Sequence, residues 1–118
     1  MTEMTDAQIE AAARYCLAAD PASEGWDEAE TWVREFASAV VGFVACGVEV
    51  ESVSPSAVHQ VFITTLRKGG WTWGEVYDAV AKTHPSIVPW PELTPELQER
   101  NALFIEAAAS WIGENVPI

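Results

Sequence analysis

Both histidines and three of the six tryptophans of this chain fall in one short stretch, from His59 to Trp90, which shows no sustained helical or strand period. Within it, Gly70-Trp71-Thr72-Trp73-Gly74 is followed by Asp78, then Lys82-Thr83-His84-Pro85, then Val88-Pro89-Trp90. The chemistry such residues offer is recognition of a planar anion. A nucleobase stacked on an aromatic ring is worth about 1–3 kcal/mol, and Trp71, Trp73 and Trp90 supply three rings. Arg67, Lys82 and His84 carry charge for a phosphate, while Gly70 and Gly74 let backbone N–H groups come close to it. His59, at the start of this stretch, and Asn101, beyond its end, add polar groups at helical positions.

Each of these residues also has a packing role open to it. Tryptophans of small domains are commonly core, and a helical histidine is commonly a satisfied core hydrogen-bonder. Asp78 suits a turn in which its carboxylate accepts loop N–H groups, and Asn101 suits the same task from a helix. Catalytic signatures are missing: there is no nucleophile elbow, Walker loop or HExxH, and the two histidines do not stand at i, i+4 metal-ligand spacing. The expectation is a binding protein and not an enzyme, with no metal or cofactor.

The totals frame this reading. With 118 residues, 49% of them hydrophobic, the chain suits one domain with its own core. Cys16 and Cys46 lack CxxC spacing and read as small buried hydrophobes. The net charge is −12. Acidic residues dominate through Glu51, where only Arg14 and Arg34 oppose them, and this argues against nucleic-acid binding, which needs Lys and Arg to displace counterions. The longest apolar run, Ala39 to Val48, is too short for a membrane span. Met1 to Asp6 has no basic or apolar leader pattern, so a cytoplasmic protein is expected.

Four helices are predicted to position the loop. Thr5 caps the first, which runs to about Ala19 with Ile9, Ala12, Ala13 and Cys16 inward. Asp20 to Gly25 is a loop by composition. The second helix is predicted to open near Trp26 or Asp27, with Trp32, Val33, Phe36, Val40 and Val44 as its stripe and Gly47 as its stop. Ser54-Pro55 starts the third, Gly69-Gly70 ends it, and Val58, Val61, Phe62 and Leu66 face the core. Thr94-Pro95-Glu96 starts the fourth, which runs to about Gly113 with Asn101 on its inward stripe. Residues 1–51 thus form a helical half, and 52–118 hold the third helix, the loop and the fourth. A loop of this length is uncommon without order of its own. Thr72 to Tyr77 and Ser86 to Val88 are expected to be extended and to pair as a short two-stranded ribbon.

The loop pattern resembles the RyR domain, named for repeats of ryanodine receptors and also found singly in small bacterial and bacteriophage proteins. The positions that carry the likeness are His59, Phe62, Gly70-Trp71-Thr72-Trp73-Gly74, Asp78, Lys82-Thr83-His84-Pro85 and Ile87-Val88-Pro89-Trp90, leading to Leu93. They span about half the chain. Phe62 stands where the family has Trp, Trp73 and Trp90 where it has Tyr, Asn101 where many members have Asp, and Leu66 where a basic residue is common. The resemblance implies a mainly α domain that binds an adenine nucleotide or a related signal. For a single copy it implies a symmetric homodimer that places Trp71 of both subunits around one base, and for a bacteriophage member the capture of a host defence messenger. The alternative is an acidic adaptor that docks on a host protein, the loop serving only the fold. A DNA-mimic inhibitor is a third possibility, but the acidic residues form no long run.

Overall fold

In the computed structural model, residues 4–20, 25–46 and 54–116 are described. The expected stop at Gly47, most of the loop from Asp20 to Gly25, and the side chain of Cys46 lie outside them.

Among the described residues the chain is mainly helical, with four helices and a short two-stranded sheet between the third and fourth. α1 (Asp6–Ala19) opens with a reciprocal cap in which the Gln8 amide donates to Thr5 Oγ1 and the Thr5 amide to Gln8 Oε1. α3 (Pro55–Lys68) and α4 (Pro95–Asn115) open as their Ser-Pro and Thr-Pro signals predict: Ser54 and Thr94 accept the Ala57 and Leu97 amides, and proline takes the first helical position.

α2 (Thr31–Cys46) begins later than expected, because residues 26–29 form a turn. Their carbonyls have another partner. Arg34 donates from Nε to the Trp26 carbonyl at 2.8 Å and from Nη2 to that of Asp27 at 2.9 Å, and the guanidinium groups of Arg14 and Arg34 each lie 5.3 Å from the Trp26 ring. A cation-bracketed indole holds the turn where the acidic residues alone suggested a helix.

The helices enclose a core of Ala12, Ala13, Cys16 and Leu17 from α1, Ala37, Val40, Val41 and Val44 from α2, Val58 from α3, and Ile105 and Ala108 from α4. A second cluster lies beneath the loop and joins Phe62, Ile63 and Leu66 of α3 to Trp71 and Ile87, with Trp32 and Phe36 against it. Phe36 meets Phe104 on one side and Phe62 on the other, at 5.9 and 5.5 Å between ring centres, and so bridges the two clusters. No helix among the described residues is long and apolar enough to cross a membrane.

The sheet is smaller than the expected ribbon and differs in its second strand. β1 (Thr72–Trp73) pairs in parallel with β2 (Thr83–His84), Thr72 opposite Thr83 and Trp73 opposite His84. Ser86 to Val88 takes no part. Pro85 has no N–H to continue the ladder, and the chain turns instead, with the Ile87 amide returning to the His84 carbonyl at 3.4 Å.

Candidate functional site

The path into the loop is set at the end of α3. Gly70 has φ +86°, a left-handed conformation that glycine adopts without steric cost, and the Trp71 amide then donates back to the Leu66 carbonyl at 2.9 Å. This reversal drops the Trp71 ring onto the second cluster. Trp71 is only 6% exposed, stacked on Tyr77 at 5.7 Å and 26° and tilted against Trp32 at 5.7 Å. The expected stacking platform is therefore a packed ring. In this arrangement Trp71 turns no open ring face outward.

The rest of the loop is held by its own polar groups. Asp78 Oδ1 accepts the Val80 and Ala81 amides at 2.9 and 3.0 Å, and Asp78 and Thr83 exchange backbone hydrogen bonds at 3.1 and 3.0 Å. Thr83 Oγ1 donates to the Val76 carbonyl at 2.9 Å. Lys82 has φ +58° and sends Nζ back to the Gly69 carbonyl at 2.7 Å. A cation there complements the negative end of α3, where Arg67 and Lys68 also lie. Trp73, by contrast, is 53% exposed on β1.

A cavity of about 450 Å³ opens on the other side of this loop, between it and α2, α3 and α4. Its walls are mostly apolar and aromatic: Trp32, Val33 and Phe36 from α2, Phe62 from α3, Leu93, and Leu97 and Phe104 from α4. Polar groups enter from every side, among them Asp20, Glu30, His59, Tyr77, His84, Ser86, Arg100 and Asn101. Of the nine residues singled out from the sequence, this brings together His59, His84 and Asn101. Trp71, Trp73, Trp90, Arg67, Lys82 and Asp78 do not line it. Trp90 begins a short 3₁₀ turn (Trp90–Glu92) and leans on His59 at 6.1 Å.

Most polar groups of the cavity are anchored. His59 donates from Nε2 to the Val88 carbonyl at 2.6 Å and stacks on Phe62 at 5.6 Å and 16°. His84 accepts the Ser86 amide on Nδ1 at 3.0 Å and meets Trp32, Phe62 and Tyr77 edge-on at 5.2–5.5 Å. Burial lowers the His84 pKa below the ordinary histidine value, and the nearby charge of Glu30 opposes that shift without reversing it. Asn101 donates from Nδ2 to the Pro55 carbonyl at 3.3 Å. Glu30 Oε2 accepts from Trp32 Nε1 at 2.6 Å and from the Tyr77 hydroxyl, which ties the loop to the start of α2. Arg100 Nη2 pairs with Asp20 Oδ2 at 2.8 Å. No group of three or more His, Cys, Asp or Glu among the described residues is placed to hold a metal ion.

Sequence reasoning did not assign Trp32, Glu30, Tyr77 or Arg100 to the site. Trp32 was legible as part of the α2 stripe but not as a cavity wall, and the Arg100–Asp20 pair joins residues 80 positions apart, for which no local pattern exists. No protein-family model matches this chain, nor does any curated protein or solved structure. The resemblance to RyR repeats thus rests on the motif residues alone.

Proposed function

We propose that this protein is a non-enzymatic small-ligand-binding module, and that its ligand is a nucleotide or nucleotide-derived signal seated in the cavity beneath the loop. The observation that carries this reading is the cavity itself: about 450 Å³, aromatic on its walls, with anchored polar groups from α3, the loop and α4. Ligand sites of globular proteins are commonly about 300–1,000 Å³ and combine apolar walls with a few fixed polar atoms. Trp32, Phe36, Phe62 and Phe104 offer the flat apolar surface on which a base packs. The His59 and Asn101 anchors support a site formed before the ligand arrives. Retention without turnover would suit a protein that sequesters a messenger, the role implied by the bacteriophage members it resembles.

Thermal melting against ATP, ADP-ribose, NAD and a set of cyclic di- and trinucleotides tests this. A ligand at about a hundred times its dissociation constant adds about 2.7 kcal/mol, several degrees for a domain of this size. A panel with no shift would sink the proposal.

A second reading, an adaptor docking on another protein, is favoured by one observation. Trp73, Val76 and Val80 are 53, 74 and 95% exposed on a loop that is hydrogen-bonded into shape. Its signature is a Trp73→Ala/Val80→Ser variant that still binds the nucleotide panel but loses a partner the wild type retains.

A further inference from the structure

Three polar side chains of the cavity are each half-used. His59 spends its Nε2–H on Val88, His84 spends its Nδ1 lone pair on the Ser86 amide, and Asn101 spends one of its two N–H groups on Pro55. A neutral imidazole carries one N–H and one lone pair, so His59 retains an acceptor at Nδ1 and His84 a donor at Nε2. The Asn101 amide retains its oxygen as an acceptor. Among the described residues, every fully buried side-chain N or O has a hydrogen-bond partner. None of the three unspent atoms is therefore a fully buried atom without a partner, and all three residues line the cavity. The neutral state of His84 is favoured by its burial.

The charged groups present the opposite picture. Arg100 is held by Asp20 at 2.8 Å, and Glu30 by Trp32 and Tyr77. A phosphate at the rim would have to displace the Asp20 carboxylate from Arg100, and it would approach a chain of net charge −12. Arg67 and Lys82 do not line the cavity, and Lys82 is engaged with Gly69.

We infer that the cavity recognises the uncharged heterocycle of its ligand and not the phosphates. The ligand class is a nucleobase or nucleoside whose edge accepts from His84 Nε2–H and donates to His59 Nδ1 or Asn101 Oδ1. This rests on the cavity being the ligand site, and it narrows the chemistry of what enters.

Isothermal titration of the full chain with adenosine, guanosine, cytidine and uridine, each beside its 5′-triphosphate, decides the matter. At least one nucleoside is expected to bind within about threefold of its triphosphate, unchanged between about 50 and about 300 mM salt. His84→Phe keeps a ring but has no N–H, and weakens that nucleoside about tenfold, whereas His84→Gln keeps an amide donor and recovers most of the affinity. A triphosphate bound more than about tenfold tighter than its nucleoside, with affinity that falls steeply in salt, overturns this inference and leaves the cavity as a nucleotide site. So does nucleoside binding that His84→Phe does not change. No binding by any nucleoside or nucleotide overturns both. The comparison of nucleoside with triphosphate needs no variant, so it stands even where His84→Phe fails to fold.

Discussion

His59 on α3 donates its Nε2–H to the carbonyl of Val88, 29 positions later in the chain, at 2.6 Å. The bond ties the segment before Trp90 to the helix that forms one cavity wall, and the ring that makes it is 3% exposed. His59→Phe keeps the stack on Phe62 but leaves the Val88 carbonyl without its donor. An unmet, partly buried acceptor costs about 1–3 kcal/mol, which appears as a melting temperature several degrees lower by circular dichroism. His59→Ala costs more, because the ring contacts go too. If the Phe variant melts with the wild type, the bond contributes nothing to the fold.

The two tryptophans of the Gly-Trp-Thr-Trp-Gly turn are expected to part company. Trp71 is 6% exposed and packs on Trp32 and Tyr77, whereas Trp73, two residues on, is 53% exposed. Trp71→Ala empties the centre of the second cluster and costs about 3–5 kcal/mol. Trp73→Ala at the surface stays within about 0.5 kcal/mol. Urea denaturation of the two variants gives both numbers, and similar losses would mean that the surroundings assigned to one of the rings are wrong.

Gly74 is required by a close approach. A Cβ built there would stand 2.6 Å from Thr83 Cβ, with the rest of the Thr83 side chain just beyond. Those atoms belong to β2 and cannot swing away as a long side chain does. Gly74→Ala is expected to cost about 1–3 kcal/mol through overpacking. Thr83→Gly removes the opposing Cβ, so in a double-mutant cycle the two changes should be less than additive. Full additivity would place the cost elsewhere than in this contact.

Much of the fold was legible in the sequence because its signals are local. Thr5, Ser54-Pro55 and Thr94-Pro95 each mark a helix start through hydrogen bonds made within four residues, and the structure has all three. The missed start of α2 turns on Arg34 reaching back to the Trp26 and Asp27 carbonyls, a contact that competes with helix and has no periodic trace. The second strand was misplaced for a related reason: Ser86 to Val88 has strand-like composition, but the Gly70 reversal brings Thr72 beside Thr83. Of the site, His59, His84 and Asn101 were picked out by residue type. The cavity they share is a product of packing between Trp32, Phe36 and Phe104, which the sequence presents only as two separate helical stripes.

Cys16 is expected to be chemically silent in the native protein. It is a free thiol, 1% exposed in the helical core, and burial pushes its pKa up to about 12. The thiolate is the reactive form, so little of it exists at about pH 8. Iodoacetamide followed by peptide mapping should leave Cys16 unmodified in buffer and modify it in urea. Native labelling at Cys16 would show that α1 leaves the bundle on the timescale of the reaction.

His84 links stability to pH, and the sign follows from its surroundings. Burial among Trp32, Phe62 and Tyr77 lowers its pKa from the ordinary value of 6.5, and Glu30 only partly offsets this. The unfolded chain therefore takes up a proton at His84 at a higher pH than the folded chain does. Where the unfolded state binds more protons, stability rises with pH. The contribution of His84 is thus present in full above about pH 6.5 and is lost as the pH falls from there toward the folded pKa, with a slope of at most about 1.4 kcal/mol per pH unit for one proton. Urea midpoints between about pH 7.5 and about pH 5 should fall for the wild type. His84→Phe cannot titrate, so it should fall less over the same window. Should the two curves run parallel, His84 is as well solvated in the folded protein as in the unfolded chain, and the packed environment assigned to it is wrong.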